Sequence, residues 1–217
     1  MRNKLTAILP IVFSLILAGC TPASGGGSRE IHHVEGGQIL LTLYAFDANE
    51  ESIFGVPNMG HSFIAVKNNT DEPLKVVNFP LEPGEEVTVG TYGHSARFGI
   101  WYNLEACYLT PEPQRYYRGI GSISREICAA DLDAINKYLS DKDFWSFGYN
   151  CSAFALGAWN TVAGEFDAIE IKGTLTPAKV FEELQKFTGF ELNRKAANTN
   201  SAYLYIDDEM QEWAFNG

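Results

Sequence analysis

The sequence is poor in basic residues. Its 217 residues include 16 Lys and Arg against 27 Asp and Glu, which gives a formal net charge of −11 at pH 7. Nucleic acids and anionic lipid surfaces attract proteins through clustered positive charge, so this composition argues against both as electrostatic partners. The composition is compatible with a neutral, cationic or amphoteric substrate.

The sequence also lacks the short motifs that bind common cofactors. It contains no GxGxxG, no Walker sequence and no calcium-loop pattern, so we expect no coenzyme. It contains neither CxxC nor HxxxH, two spacings at which zinc ligands commonly occur. A metal site built from His61, His94 and a cysteine is therefore disfavoured, and we expect no metal.

A long apolar run is missing from the N-terminal end. The apolar stretch at 5–17 has about 13 residues, whereas roughly 20 are needed to span a bilayer. A basic end, a short apolar middle and the small residues of the sequence LAGC are typical of a secretory signal peptide. Because a cysteine follows the small residues, the segment resembles the lipobox of bacterial lipoproteins. The resemblance implies a signal peptide at 1–19, a lipid-anchored Cys20 and an extracytoplasmic location.

A tether and one domain are expected after Cys20. Residues 21–28 read TPASGGGS, which contains too few apolar side chains to offset the entropy of ordering the chain. We expect a flexible tether at 20–35. The remaining residues, 36–217, have the right length for a single domain with a sizeable core.

The hydrophobic pattern predicts strands first and helices later. The predicted strands are 38–46, 60–67, 74–79, 86–92, 100–109, 117–125 and 203–206. The predicted helices are 130–139, 151–162 and 177–187. The Asn- and Asp-rich turn after residue 67 predicts a hairpin between 60–67 and 74–79. Strands in a run followed by helices in a run indicate an α+β fold, with an antiparallel sheet packed against a helical layer.

Three cysteines remain if Cys20 carries lipid, so at least one thiol is unpaired within the chain. An exported setting favours oxidation, and Cys107 and Cys128 are the candidate pair. Cys151 lies at the predicted start of a helix, where the positive end of the helix dipole lowers the pKa of a thiol. Backbone N–H groups at the same place could stabilise an oxyanion. An isolated cysteine at a helix start is also compatible with a small buried hydrophobic residue.

The histidines supply a candidate base for this thiol. His32 and His33 lie in the expected tether, and His94 lies in a Gly-rich turn. His61 is the histidine that opens a predicted strand, where a rigid backbone can hold its side chain in place. A thiol nucleophile needs a base within hydrogen-bond reach, and that base needs a third group to fix its tautomer.

These two motifs resemble a family of cysteine hydrolases. The sequence Asn-Cys-Ser-Ala-Phe at 150–154 is similar to the Asp-Cys-Ser-Gly-Phe signature of NlpC-like hydrolases, which are papain-related enzymes that cut peptidoglycan peptides. Residues 60–66 are similar to their histidine-bearing strand. In this chain the histidine precedes the cysteine, an order that resembles the circularly permuted branch with its lecithin:retinol acyltransferase-like proteins. Asn150 stands where the family signature has an acidic residue.

The resemblance implies that Cys151 is the nucleophile, that His61 is the general base and that a polar residue completes the triad. Asn103 is the favoured third member, while Asn78 and His94 stay open. The expected activity is hydrolysis of an amide bond, with a cell-wall peptide as the leading substrate because the anchor lies beside peptidoglycan. The alternatives are an acyl-ester or lipid hydrolase or acyltransferase on the same fold, and a non-catalytic binding lipoprotein.

Overall fold

An eight-stranded antiparallel sheet runs through the centre of the computed structural model. The described residues are 28–48, 52–53, 56–57, 59–94, 97–109, 119–146, 148–196, 201–206 and 209–214. The strands are β1 (Ile39–Phe46), β2 (Ser52–Ile53), β3 (Val56–Pro57), β4 (His61–Asn68), β5 (Leu74–Val76), β6 (Phe79–Leu81), β7 (Glu86–His94), β8 (Arg97–Tyr102), β9 (Gly121–Ile127), β10 (Glu191–Leu192), β11 (Ser201–Ile206) and β12 (Glu209–Ala214). The helices are α1 (Leu104–Leu109), α2 (Ala129–Ser140), α3 (Cys151–Asn160) and α4 (Pro177–Leu184).

The strand order in the main sheet is β10-β9-β1-β4-β7-β8-β11-β12, and β2–β3 and β5–β6 form two small separate hairpins. Strands β1 and β4 lie in the middle of the main sheet, and nearly all of their residues are buried. Their continuous apolar sequences fit strands that are covered on both faces. In the register of this pair, Phe46 is opposite His61 and Ile39 is opposite Asn68.

Helices α3 and α4 cover one face of the sheet, and Leu104 of α1 packs in the smaller core on the other face. Helix α3 packs against β4 and β7, and α4 packs against β1 and β9. The larger apolar core lies between these helices and the sheet, and it includes Leu41, Ile64, Phe154 and Val180. A smaller core around Tyr44, Phe63 and Trp101 is separate from it. The predicted α+β class with a large antiparallel sheet is confirmed.

Two predicted strands differ from the structure. The predicted strand 100–109 ends at Tyr102, because Asn103 has a φ of 60° that interrupts the extended backbone, and helix α1 follows. The predicted strand 74–79 is split into β5 and β6, because Val77 between them has a φ of 55°. The predicted strand 203–206 is confirmed as part of β11, which forms a hairpin with β12.

The predicted hairpin between 60–67 and 74–79 is also wrong. Strand β4 pairs with β1 and β7, while β5 pairs with β6. The turn after β4 is built by Asn68, whose side-chain amide donates to the carbonyl oxygens of Glu72 (2.9 Å) and Leu81 (3.1 Å). The Asn-rich turn therefore leads into the small β5–β6 hairpin and does not directly connect two neighbouring strands of the main sheet.

The N-terminal segment lies against the domain from Arg29 onward, which differs from the tether expected up to Glu35. The amide of Arg29 donates to the carbonyl of Lys186 at 2.7 Å, and the amide of Val34 donates to the carbonyl of Glu126 at 3.1 Å. These tertiary hydrogen bonds hold a segment whose own composition is too polar to form a core. The signal peptide expected at 1–19 and the proposed lipidation site Cys20 lie outside the described residues.

Candidate active site

Cys151 is the first residue of helix α3, and Asn150 caps that helix. The side-chain oxygen of Asn150 accepts hydrogen bonds from the amides of Ser152 (3.0 Å) and Ala153 (3.2 Å). Its side-chain nitrogen donates to the carbonyl of Leu175 at 3.0 Å. Both the oxygen and the nitrogen of the Asn150 side chain therefore form hydrogen bonds. A neutral side chain thus fixes the start of helix α3.

His61 is the first residue of β4, and it is 6% exposed. Tyr92 stacks on its imidazole with ring centroids 4.5 Å apart, and Phe63 lies at 5.8 Å. Phe46, its partner across the β1–β4 pair, meets the ring edge-on at 6.3 Å. The neighbouring aromatic rings therefore fix the plane of the imidazole.

A buried carboxylate holds the far nitrogen of this imidazole. Glu105 is fully buried, and its Oε1 lies 3.1 Å from Nε2 of His61. Thr88 Oγ1 donates to Oε2 of Glu105 at 2.8 Å, and the hydroxyl of Tyr92 donates to Oε1 at 3.2 Å. Because an ionised carboxylate can only accept, Nε2 of His61 carries the hydrogen, and Nδ1 is the nitrogen that remains for the thiol.

The thiol of Cys151 and the imidazole of His61 share a side-chain hydrogen bond. Burial alone would lower the pKa of His61, but the charge and hydrogen bond of Cys151, together with those of Glu105, raise that pKa to about 9. Both groups therefore favour a protonated imidazole at neutral pH.

The pKa of the Cys151 thiol moves in the opposite direction. Burial alone would raise it, but the charge and hydrogen bond of His61 outweigh burial and lower the pKa. The backbone of Ser62 and the side chain of Ser152 also lower it by donating hydrogen bonds to the sulfur. The two serine hydroxyls lie 3.1 Å apart and are buried. The geometry thus favours a thiolate–imidazolium pair, the activated form of a cysteine nucleophile.

One backbone amide at the start of α3 is left for a substrate oxygen. The amides of Ser152 and Ala153 donate to the Asn150 side chain, and that of Phe154 donates to the Asn150 carbonyl. Within the described part of the chain, the amide of Cys151 itself has no such partner. This amide can donate to an oxyanion that forms on a carbonyl attacked by the adjacent sulfur.

Asn103, the residue expected to complete the triad, has different partners. Its side-chain oxygen accepts from the amide of Thr88 at 3.1 Å, and its own amide donates to the carbonyl of Thr88 at 2.8 Å. Asn103 therefore closes the turn between β8 and α1, and among the described residues Glu105 is the side-chain acceptor that contacts His61.

Of the other two candidates for the third position, Asn78 lies elsewhere in the fold. Asn78 lies in the turn between β5 and β6, where its backbone hydrogen-bonds the hydroxyl of Tyr102. His94 is the last residue of β7, and its side chain lies outside the described part of the structure.

Glu105 was not among the residues that the sequence predicted, because 100–109 has the pattern of a strand. The sequence does contain a feature that points to Glu105, because it is the one charged residue in the run from 98 to 111. A lone charge within an apolar run is rarely buried unless it has a partner. The neighbouring strand leaves room for this carboxylate at Gly90, where a Cβ would overlap Oε1 of Glu105 and lie 3.2 Å from Nε2 of His61.

The other cysteines are not part of this arrangement. Cys107 lies in α1 and Cys128 caps the start of α2, and both are free thiols like Cys151. The expected pairing of Cys107 with Cys128 is therefore wrong. Burial and the nearby Glu105 raise the pKa of Cys107 to about 12, so this thiol stays protonated. Cys151 is the cysteine that the fold activates.

Comparison of the chain with models of protein families, with curated proteins and with solved structures found no match in any of the three. Among the described residues, no group of three or more His, Cys, Asp or Glu side chains is arranged to hold a metal ion. The part of the chain that the structure describes contains no helix long and apolar enough to cross a membrane.

Proposed function

We propose that this protein is a membrane-anchored, extracytoplasmic thiol hydrolase that cleaves an amide bond, with a cell-wall peptide as its substrate. The observation that carries the proposal is the buried series of Cys151, His61 and Glu105. Each member contacts the next, and the thiol pKa is lowered where the imidazole pKa is raised. Perturbed pKa values of this kind, in complementary directions, are typical of catalytic sites.

The reaction follows from the positions of these groups. The Cys151 thiolate attacks the amide carbonyl carbon, and the carbonyl electrons move to the oxygen, which accepts a hydrogen bond from the Cys151 amide. When the tetrahedral intermediate collapses, the C–N bond breaks and the imidazolium of His61 gives its proton to the leaving amine. His61 then removes a proton from water, which attacks the thioester and releases a carboxylic acid and the thiolate.

Glu105 acts in this scheme as a positioning residue. It contacts Nε2 of His61, which directs Nδ1 to the sulfur, and its charge stabilises the imidazolium that forms during the cycle. The partners of Glu105, the hydroxyls of Thr88 and Tyr92, keep the carboxylate in one orientation.

We also propose that the domain is a circularly permuted NlpC-like, papain-related fold. The support is the order of the elements, since a histidine opens a central strand and the cysteine helix follows 90 residues later. The cysteine helix packs on the histidine strand, as the proposed pairing of nucleophile and base requires. The proposed lipid anchor at Cys20 and the extracytoplasmic location have their support in the signal-peptide pattern of the sequence.

Alkylation by iodoacetamide tests the nucleophile. At pH 7 we expect Cys151 to react about tenfold or more faster than a free thiol, since reactivity follows the thiolate fraction. Cys151→Ala should abolish the fast phase, and His61→Ala should slow it strongly. His32→Ala is the matched control, because His32 is exposed and its described hydrogen bond uses only its backbone amide.

The substrate is tested with purified protein, muropeptides and short-chain esters. Release of amines from muropeptides that depends on Cys151 and His61 supports the proposed amidase. Turnover of the esters alone would favour the acyl-ester hydrolase or acyltransferase. Slow alkylation of Cys151 combined with no turnover would contradict catalysis and leave a binding lipoprotein.

A further inference from the structure

The N-terminal end of the described chain is fixed to the domain by Arg29. Its guanidinium donates to the carbonyl oxygens of Phe166 (3.0 Å) and Ala168 (2.6 Å) and lies 4.3 Å from the centre of the Phe187 ring. The backbone of Arg29 also forms a parallel bridge with Phe187. We call the segment 28–37 the N-terminal clamp.

The clamp continues along the domain until β1 begins. The amide of His32 donates to Oδ2 of Asp167 at 2.7 Å, and the amide of Val34 donates to the carbonyl of Glu126 at 3.1 Å. Arg29 is therefore the first described residue that contacts the rest of the domain, and an anchor at Cys20 would pull on the fold through it.

The sheet register shows how far this point is from the candidate site. Asp167, which binds the clamp, forms an ion pair with Arg125, and Arg125 is opposite Leu41 in β1. His61 is opposite Phe46 in the same strand. Leu41 and Phe46 are five residues apart in β1, which corresponds to about 17 Å along the strand. The flanking strands β9 and β4 are about 10 Å apart. The clamp and the imidazole are thus about 20 Å apart.

Helix α3 leads to the same conclusion. Cys151 begins the helix, whereas Trp159, near its end, donates from its indole nitrogen to the carbonyl of Asp167 at 3.1 Å. Eight residues of helix separate Cys151 from Trp159, which corresponds to about 12 Å. The nucleophile and the clamp therefore lie at opposite ends of this helix.

The chain between the anchor and the clamp is short. Nine peptide units connect Cys20 to Arg29, and at roughly 3.5 Å each they span at most about 30 Å. If Cys151 faced the bilayer, the clamp would lie about 20 Å from the membrane surface. The chain from Cys20 to Arg29 would then have to extend to about two thirds of its maximum length. Such an extension costs conformational entropy that the opposite orientation does not.

Resting on the proposed thiol hydrolase and its anchor at Cys20, we propose that the N-terminal clamp points Cys151 away from the anchoring bilayer. The substrate is accordingly an amide carried by a polymer or a soluble molecule beyond the lipid headgroups. It is not an acyl ester of that bilayer's own lipids.

Two iodoacetamide reagents with the same reactive group test the orientation. The full lipidated chain is placed in phosphatidylcholine vesicles and treated either with soluble iodoacetamide or with iodoacetamide attached to the headgroup of a vesicle lipid. The native chain is compared with a variant that carries about 20 Gly and Ser residues inserted between Ser28 and Arg29, a length sufficient for either orientation. Labelling of Cys151 is measured by mass spectrometry of its peptide.

We expect the soluble reagent to label both chains at the same rate. The lipid-linked reagent should label the extended chain about tenfold or more faster than the native chain, because the longer linker covers the distance of about 20 Å without being stretched. Equal labelling of both chains by the lipid-linked reagent would overturn the proposed orientation. Slow labelling of both chains by the soluble reagent would instead overturn the proposed nucleophile.

Vesicle flotation separates a third outcome. A chain that does not float with the vesicles, or that carries an unmodified Cys20, has no anchor, and the proposed orientation then fails with it. Cys151→Ala in the same vesicles measures the background from the other thiols.

Discussion

At the residue scale, Glu105 is a carboxylate where an asparagine was expected. An amide oxygen can accept a hydrogen bond from an imidazole, but it adds no charge. Glu105 is fully buried and has three hydrogen-bond donors, so its charge acts on His61 with little screening by water. The pKa of His61 rises to about 9 partly for this reason, and the pKa of the coupled thiol falls.

The variant Glu105→Gln tests this contribution. The amide has the same shape but no charge, so the pKa of His61 should fall below about 9 and that of Cys151 should rise. With less thiolate present, alkylation at pH 6 to 7 should slow, while the rate at high pH stays the same. We expect turnover to fall by about tenfold, equivalent to roughly 1.4 kcal/mol in the barrier.

Glu72→Gln is the matched control for this variant, because Glu72 is exposed and its described hydrogen bonds use only its backbone. It should leave the pH profile of alkylation unchanged. An unchanged profile in Glu105→Gln as well would contradict an electrostatic role for Glu105.

At the element scale, the start of helix α3 combines a cap with an activated thiol. Asn150 satisfies two amides of the first turn without bringing a negative charge near the sulfur. An aspartate at this position would cap the helix as well, since Asn and Asp are similar N-cap residues. We therefore expect the neutral charge of the Asn150 side chain to affect the pKa of the Cys151 thiol more than the stability of the helix.

The variant Asn150→Asp separates these two effects. Its carboxylate can still accept from the amides of Ser152 and Ala153, but it loses the bond to Leu175 and places a negative charge beside the sulfur. We expect the pKa of Cys151 to rise, so that the alkylation profile shifts to higher pH.

Asn69→Asp provides the same charge change at an exposed asparagine beside Gln38, far from the site. It should not shift the profile. If both variants shift the profile equally, the effect comes from net charge and the specific role of Asn150 is refuted.

At the scale of the whole molecule, one buried ion pair connects the N-terminal clamp, the sheet and helix α3. Arg125 and Asp167 are each 1% exposed and lie 2.7 Å apart. The guanidinium of Arg125 also stacks on Trp159 at 3.9 Å, and Asp167 accepts the amide of His32. A charge in this position depends on its partner, because burial of an unpaired ion is costly.

The variant Asp167→Ala should therefore strongly destabilise the protein. It leaves the Arg125 guanidinium buried without its counter-ion, and we expect the free energy of unfolding to fall by about 3–5 kcal/mol in urea denaturation. The neighbouring Glu165 is exposed, so Glu165→Ala is the matched control. It should change the free energy of unfolding by less than about 0.5 kcal/mol. Similar losses in the two variants would show that the pair does not hold the clamp region together.

Local sequence patterns were sufficient to predict most of the elements. The apolar runs of β1 and β4, the β-branched content of β7 and the helical spacing of α2 and α4 depend on residues close to one another in the chain. The position of Cys151 at a helix start follows in the same way, since Asn150 and the small residues after Cys151 are local signals. Where a single residue changes the backbone conformation, as Asn103 does after β8, the strand pattern failed.

Contacts between distant residues were decided only by the tertiary structure. His61 and Glu105 are separated by 44 residues, and the amide of His32 and the carboxylate of Asp167 by 135. Local periodicity does not predict such pairs, because the packing of the fold decides which distant group lies close enough to pair with a buried charge. The sequence by itself determined the α+β class and which residues begin the histidine strand and the cysteine helix. The sheet and helix packing decided that a glutamate holds the imidazole, that the three described thiols are free and that the chain is clamped from Arg29 onward.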